Sequence, residues 1–554
     1  MRRIASTKAA LAAAALGATA LPAQQASEAV RRAPELPQAN CTPATLAAEI
    51  KTVPAAPLLV EGLGYAGVEP DSDHPEARAW FAQGVRLIWA FDEAEAIRAF
   101  KEAQRLDPGC ALCFWGEAWA RGPTINLRPR TAEIEAARAA ATRAAELAER
   151  LSERDRLLVR AMSLRTKGPA FDNENYAKIL ESAALRMPGD DLVATLAADA
   201  RMVAQTPDKF RPDSLTQRLL ERVLARNPGH GGAVHYYIHL TDWIDRQHLA
   251  VPYAERLGRI APAASHLVHM PSHTFYGVGR YRDAAAVNVA AIAADRAYVE
   301  RVKPPESAYR TGLLAHNMHF AINSALARGD GAMALQVSDQ YRARYLAGEK
   351  VSTGFRLIGS AVYYTHGLHG DALALPEEGQ PLGRALRHYA RGEALARRGD
   401  AAGVRSEAMA MAAILDGPDA AALGSPVAQA LVEVARHVLD GRAAMLAGNP
   451  EAAAEAYWKG MQRQLSSRFS SDPPLFWYSV RRSYAAALIA AGDHGRAREH
   501  LLASIRRWPN DPLALYALSQ AEQALGDAAS ADRNLKRAKA VWAGGLEAVP
   551  LTRI

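Results

Sequence analysis

ARAWFAQGVRLIWAFDEAEAIRAFKEAQRLDPGC, residues 77–110, decides the fold. Trp80, Gly84, Ala96, Phe100, Ala103 and Pro108 stand in it at places that suit two antiparallel helices. Small Gly84 and Ala96 let the helix backbones approach, and Phe100 fills the space beside them. Pro108 has no amide hydrogen to continue the second helix, so it stops the hairpin.

The pattern recurs with a fixed period. Pro228 and Pro262 lie 34 residues apart, each closing a helix, and Gly492-Asp493 and Gly526-Asp527 repeat an inter-helix turn at the same interval. Ala497 and Ala531 follow at the small-residue place, and Gly329-Asp330 and Gly399-Asp400 have the same form. Residues 77–110 resemble the tetratricopeptide consensus at nearly every signature place. The resemblance implies an all-α solenoid of roughly ten helix-turn-helix repeats. The reading divides the chain into a repeat array over 77–300, a His-rich repeat with an insertion over 301–384, a second array over 385–545 and a tail over 546–554. Residues 119–156, 299–314 and about 346–384 depart from the period and read as insertions, either bland or covering a groove.

At 554 residues, with 49% hydrophobic and 23% charged, the chain has the composition of a folded protein too long for one compact core. Its start reads as a signal peptide over 1–23: Arg2, Arg3 and Lys8, then the short apolar run Ala9 to Ala20, then small residues before a cleavage point. The mature protein is therefore expected in the periplasm or outside the cell; the alternative is a retained anchor. Residues 24–76 read as a loosely packed extension. Loss of the leader lowers the formal charge from +7 to +4. Acidic and basic residues alternate along the remainder, which excludes a nucleic-acid partner, and no later stretch is apolar enough for an integral membrane segment. There is also no Gly-rich phosphate loop, Gly-x-Ser-x-Gly elbow or His-Glu-x-x-His helix. Whether any reaction is catalysed is left open.

Three cysteines are present. Cys110 and Cys113 lie three apart at the predicted start of a helix, a spacing that suits a disulfide; a redox pair or soft-metal site is the alternative. Phe114 follows Cys113 where haem attachment needs His. Cys41 has no evident partner.

Histidine usage departs from a plain scaffold, with eleven of the 16 between His230 and His369. Those at helical spacing form one set: His235 with His239; His266, His269 and His273; His316 with His319. If Ser265 opens a repeat, His266, His269 and His273 take its second, fifth and ninth places. His235 and His239 take the fifth and ninth of the repeat before, and His316, His319 and Asn323 the second, fifth and ninth of the next. In tetratricopeptide proteins these places line the concave groove, so the resemblance implies histidines stacked on one wall. Pro271 would kink this helix or begin it, leaving His266 and His269 on a loop. Asp242, Asp245, Tyr236, Tyr276 and Tyr363 are candidates for orienting ligands.

The segments Ala233–His239, His266–His273 and Cys110–Gly116 together resemble a group of exported bacterial tetratricopeptide proteins. An all-imidazole set suits copper, zinc or iron, so one such ion is expected on a subset of the seven histidines, with affinity falling below about pH 6. His366 and His369 are expected to close or cover the site. A scaffold that binds a peptide or protein partner in this groove is the alternative.

Overall fold

The computed structural model of the protein describes residues 56–126, 131–305, 307–347, 351–467, 473–546 and 549–554, all within one compact unit. The predicted leader and Cys41 lie outside the described residues. Those described form helices joined by turns and irregular segments, and no strand occurs among them.

The helices run as antiparallel pairs, beginning with Pro75–Trp89 and Glu93–Leu106. A Cβ on Gly84 would lie 2.7 Å from the Phe100 ring, so the close approach read from the sequence is real. The turns share one design: the residue after the first helix's cap takes a left-handed backbone, and the next residue caps the second helix. Gly279, Gly329, Gly399, Gly448, Gly492 and Gly526 fill that place with φ between 72° and 83°. Only glycine adopts this conformation without steric cost.

Two apolar cores meet along the helix Ala308–Ala327. Its Phe320 belongs to a core reaching back to Val60, and its Ile322 to one reaching forward to Ile554. The C-terminal hairpins also fold back on the middle of the chain. Tyr281 donates its hydroxyl to the Pro509 carbonyl at 3.2 Å, Trp508 packs on Tyr276, and the Ala543 amide donates to the Arg328 carbonyl at 2.7 Å. Segment 473–478 enters the interior, where Leu475, Phe476, Trp477 and Tyr478 are buried.

The expectation of a loose extension before residue 77 fails for its described part. Val60, Leu63, Ala66 and Val68 are buried, Ala66 accepts a hydrogen bond from Trp89, and Gly62 accepts one from the Ala263 amide. The tail differs similarly, with Leu546 and Ile554 buried. Cys110 caps the helix Ala111–Ala120 and is joined to Cys113 by a disulfide. No described helix is long and apolar enough to cross a membrane.

Candidate metal centre

Three helical segments carry the site. Gly231–Trp243 supplies His235 and His239. Ser265–His269 and Pro271–Gly277 form one interrupted helical run that supplies His266, His269 and His273. Ala308–Ala327 supplies His316. Pro271 interrupts without ending the run: Met270 stays helical (φ −50°, ψ −36°), and its amide still reaches the His266 carbonyl at 2.9 Å. The loop alternative for His266 and His269 is thereby excluded.

Six of the seven candidate histidines gather into two groups, His235 with His239 and His266, and His269 with His273 and His316. Within each group, one nitrogen from every ring lies within 4.8 Å of the others. In the first, His235 Nε2 stands 3.2 Å from His239 Nε2 and 3.0 Å from His266 Nε2. In the second, His269 Nε2 stands 3.1 Å from His273 Nε2. An ion bound tetrahedrally at about 2.0–2.1 Å holds its ligand nitrogens roughly 3.3–3.4 Å apart. The pairs His235–His239, His235–His266 and His269–His273 are thus within a few tenths of an ångström of that spacing, and the remaining pairs of each group lie within 4.8 Å. The groups adjoin, with the His239 and His273 rings, and the His266 and His269 rings, each 5.8 Å apart.

The seventh candidate stands aside. His319 is buried on the same helix as His316, but its Nε2 faces Asn323 at 3.3 Å, outside both groups. His366 and His369 do not cover the site either: His366 Nε2 faces Asp339 at 3.3 Å, and His369 lines a separate pocket with Arg397, Arg442 and Trp542. Nor do the histidines line an open groove. His235, His239, His266, His269 and His273 are buried and His316 is half-buried.

Surrounding groups orient the rings. His235 donates its Nδ1 hydrogen to the Trp89 carbonyl at 2.6 Å, which leaves Nε2 with its lone pair facing the other rings. Asn288 donates through Nδ2 to the Ala284 carbonyl at 2.7 Å, so its Oδ1 accepts from His269 Nδ1, also at 2.7 Å. The Asp242 carboxylate stands 3.8 Å from His273 Nδ1. Carbonyls and carboxylates behind imidazoles are the usual means of fixing tautomer and raising ligand basicity. Burial would raise the Asp242 carboxyl, yet its hydrogen bond and charge interaction with His273 bring it below the ordinary value. Asp245 instead pairs with Arg507, and Tyr363 donates to Glu378. Tyr236 stacks on His235, and Tyr276 packs edge-on to Phe320.

Two aromatic rings enclose the groups, one each. Phe91 lies 4.3, 6.1 and 5.4 Å from the rings of His235, His239 and His266. Phe320 lies 5.2, 4.7 and 5.2 Å from those of His269, His273 and His316. Phe91 occupies the left-handed turn place that glycine fills in six later hairpins, with φ 56°. A bulky residue there is strained by about 1–2 kcal/mol, and the ring it delivers to the histidines is the evident compensation. Phe91→Gly should relieve that strain while unroofing the first group. A chelator is expected to strip metal from this variant about ten times faster than from the wild type, with a modest loss of stability; equal rates would deny the ring this role.

Burial lowers the proton affinity of the imidazoles, bringing His235 and His319 to about 3. His239, His266, His269 and His316 are held well below the ordinary value, first by burial and then by neighbouring histidines. Neutral imidazole therefore persists below pH 6 at these positions.

No family model matches the chain, and no curated protein matches it. Solved structures similar to it include Naa15/Naa10 bound to HypK-THB (14% identity, covering 84% of this chain and 70% of that one, TM-score 0.21). Others are the human IFIT1 dimer with m7Gppp-AAAA (12%, 86% and 92%, 0.29) and the P58(IPK) TPR domain (12%, 81% and 98%, 0.23). At these TM-scores the likeness decides nothing further, and the repeat architecture stands on the chain's own helix pairs.

The residues that sequence reading missed are Trp89, Phe91, Asn288 and Phe320. Phe320 lies one turn beyond His316 and was open to the same face argument. Asn288 comes from the partner helix of the same hairpin, whereas Trp89 and Phe91 reach the site from a hairpin remote in sequence.

Proposed function

We propose that this chain is an exported transition-metal-binding protein whose ligands are His235, His239, His266, His269, His273 and His316. The convergence of Nε2 atoms at 3.0–3.2 Å supports this reading most directly. Three imidazole nitrogens brought this close can share one ion, which would bind all three at once. The ligand type suits copper, zinc or iron over magnesium or calcium, which take oxygen ligands. Export rests on the leader read in residues 1–23 and agrees with the Cys110–Cys113 disulfide.

The test is elemental analysis of the full chain purified without a His-tag, before and after reconstitution with each candidate ion. Stoichiometric metal is expected in the wild type, and His239→Ala/His273→Ala, which removes one ligand from each group, should retain less than about a tenth of it. Equal occupancy in the variant, or no uptake by the wild type, would leave a scaffold for a peptide or protein partner as the better account.

A further inference from the structure

The six histidines are arranged as two equivalent halves. Each group takes the fifth and ninth places of one repeat and the second place of the next: His235, His239 and His266, then His269, His273 and His316. Each has one aromatic roof, Phe91 or Phe320, and one ring anchored through Nδ1, His235 on the Trp89 carbonyl or His269 on Asn288. The halves touch through ring pairs 5.8 Å apart. A single mononuclear site would leave one half unused, and six imidazoles exceed what one ion requires.

Charge limits what such a pair of sites accepts. The ligand groups contain no carboxylate, and the Asp242 carboxylate stands behind His273, not among the converging nitrogens. Two divalent ions would place four positive charges among six imidazoles with the Asp242 carboxylate beside them, which is costly without a further counter-anion. Two cuprous ions place only two there, and three imidazoles suit cuprous copper well. A pocket lined by Ser265, His266, Asp92, Asp295, Tyr298 and Arg310 adjoins the first group at His266.

We propose that the two groups form one dinuclear copper centre whose substrate is dioxygen; this rests on the metal reading above. Each cuprous ion gives one electron, and dioxygen accepts both. The O–O bond falls to a single bond, and peroxide bridges two cupric ions through new copper–oxygen bonds. No proton and no other reductant enters this step. Two cupric ions with one peroxide dianion carry the same net charge as two cuprous ions, so the same surroundings would suit both states. The aromatic roofs exclude bulk water from the bridge.

The test titrates the full chain anaerobically with acetonitrile-stabilised cuprous copper and then admits air. Expected are two coppers per chain, uptake of one dioxygen per two coppers, and an oxidised form almost silent in electron paramagnetic resonance because its spins are coupled. His235→Ala/His266→Ala should bind one copper and give an ordinary cupric signal on oxidation. The reciprocal His269→Ala/His316→Ala serves the same comparison should the first variant lose its helical circular dichroism. One copper per wild-type chain, two without dioxygen uptake, or a full uncoupled cupric signal would overturn the dinuclear proposal while leaving metal binding intact. No copper, zinc or iron uptake at all would remove the metal reading itself.

Discussion

The metal-free protein should lose stability steeply between pH 7 and pH 4.5. Burial keeps His235, His239, His266, His269, His316 and His319 neutral when folded, while in the unfolded chain they have ordinary proton affinity. Above pH 6.5 neither state is protonated and the groups contribute nothing. As pH falls below 6.5 the unfolded chain gains protons, while folded His235 and His319 do not until about pH 3. The stability lost on reaching pH 4.5 is on the order of 2–3 kcal/mol for each such histidine. His239, His266, His269 and His316 shift in the same direction and add to it. Urea titrations of apo protein across this range should show the midpoint falling, and His319→Gln should flatten the slope without touching either ligand group. A midpoint unchanged from pH 7 to pH 4.5 would mean these imidazoles are not buried and neutral.

Gly279→Ala should be among the most damaging single substitutions in the chain. An added Cβ would lie 1.8 Å from the Pro509 carbonyl oxygen, and the backbone there has φ 75°. Neither neighbour is a flexible side-chain end, so the returning C-terminal hairpins must lift off Tyr276 and Tyr281. A loss of about 3–5 kcal/mol is expected, with new proteolytic cleavage on the C-terminal side. Gly399→Ala is the control: it has the same kind of turn, φ 77°, with no atom within 4 Å of the added Cβ. It should cost only about 1–2 kcal/mol, the conformational part alone. Equal effects at the two positions would show that the hairpins do not depend on the seat at Gly279.

The helical hairpins were legible because their signals are local. Gly84 against Phe100 and the Gly-Asp turns each lie within one repeat. The histidine faces were legible for the same reason, since positions four apart share a helix surface. Which histidines meet was less so. His319 has the same spacing from His316 as His269 has from His266, yet it faces Asn323. The partition depends on how successive helices are stacked, which spacing within one helix does not encode. The packing of the terminal segments was not legible at all. It rests on contacts such as Tyr281 with Pro509 and Trp89 with Ala66, made between residues remote in sequence. The left-handed turn at Phe91 was hidden too, since glycine is the usual marker of that backbone.

In the proposed centre each group takes one histidine from the next repeat, which would make it a two-cell lattice with defined edges. At the leading edge the second place is Gly232, where the Trp89 ring would stand 2.5 Å from any added Cβ. At the trailing edge the ninth place is Asn323, which donates instead to the Pro474 carbonyl. Both terminations are single residues, so the number of sites is set by translation of the repeat and can change by whole cells. Duplicating the Ser265–Val302 unit would carry a complete ligand row with it, much as adding a monomer lengthens a polymer. A binding site built this way can grow by copying before any new chemistry has to be invented.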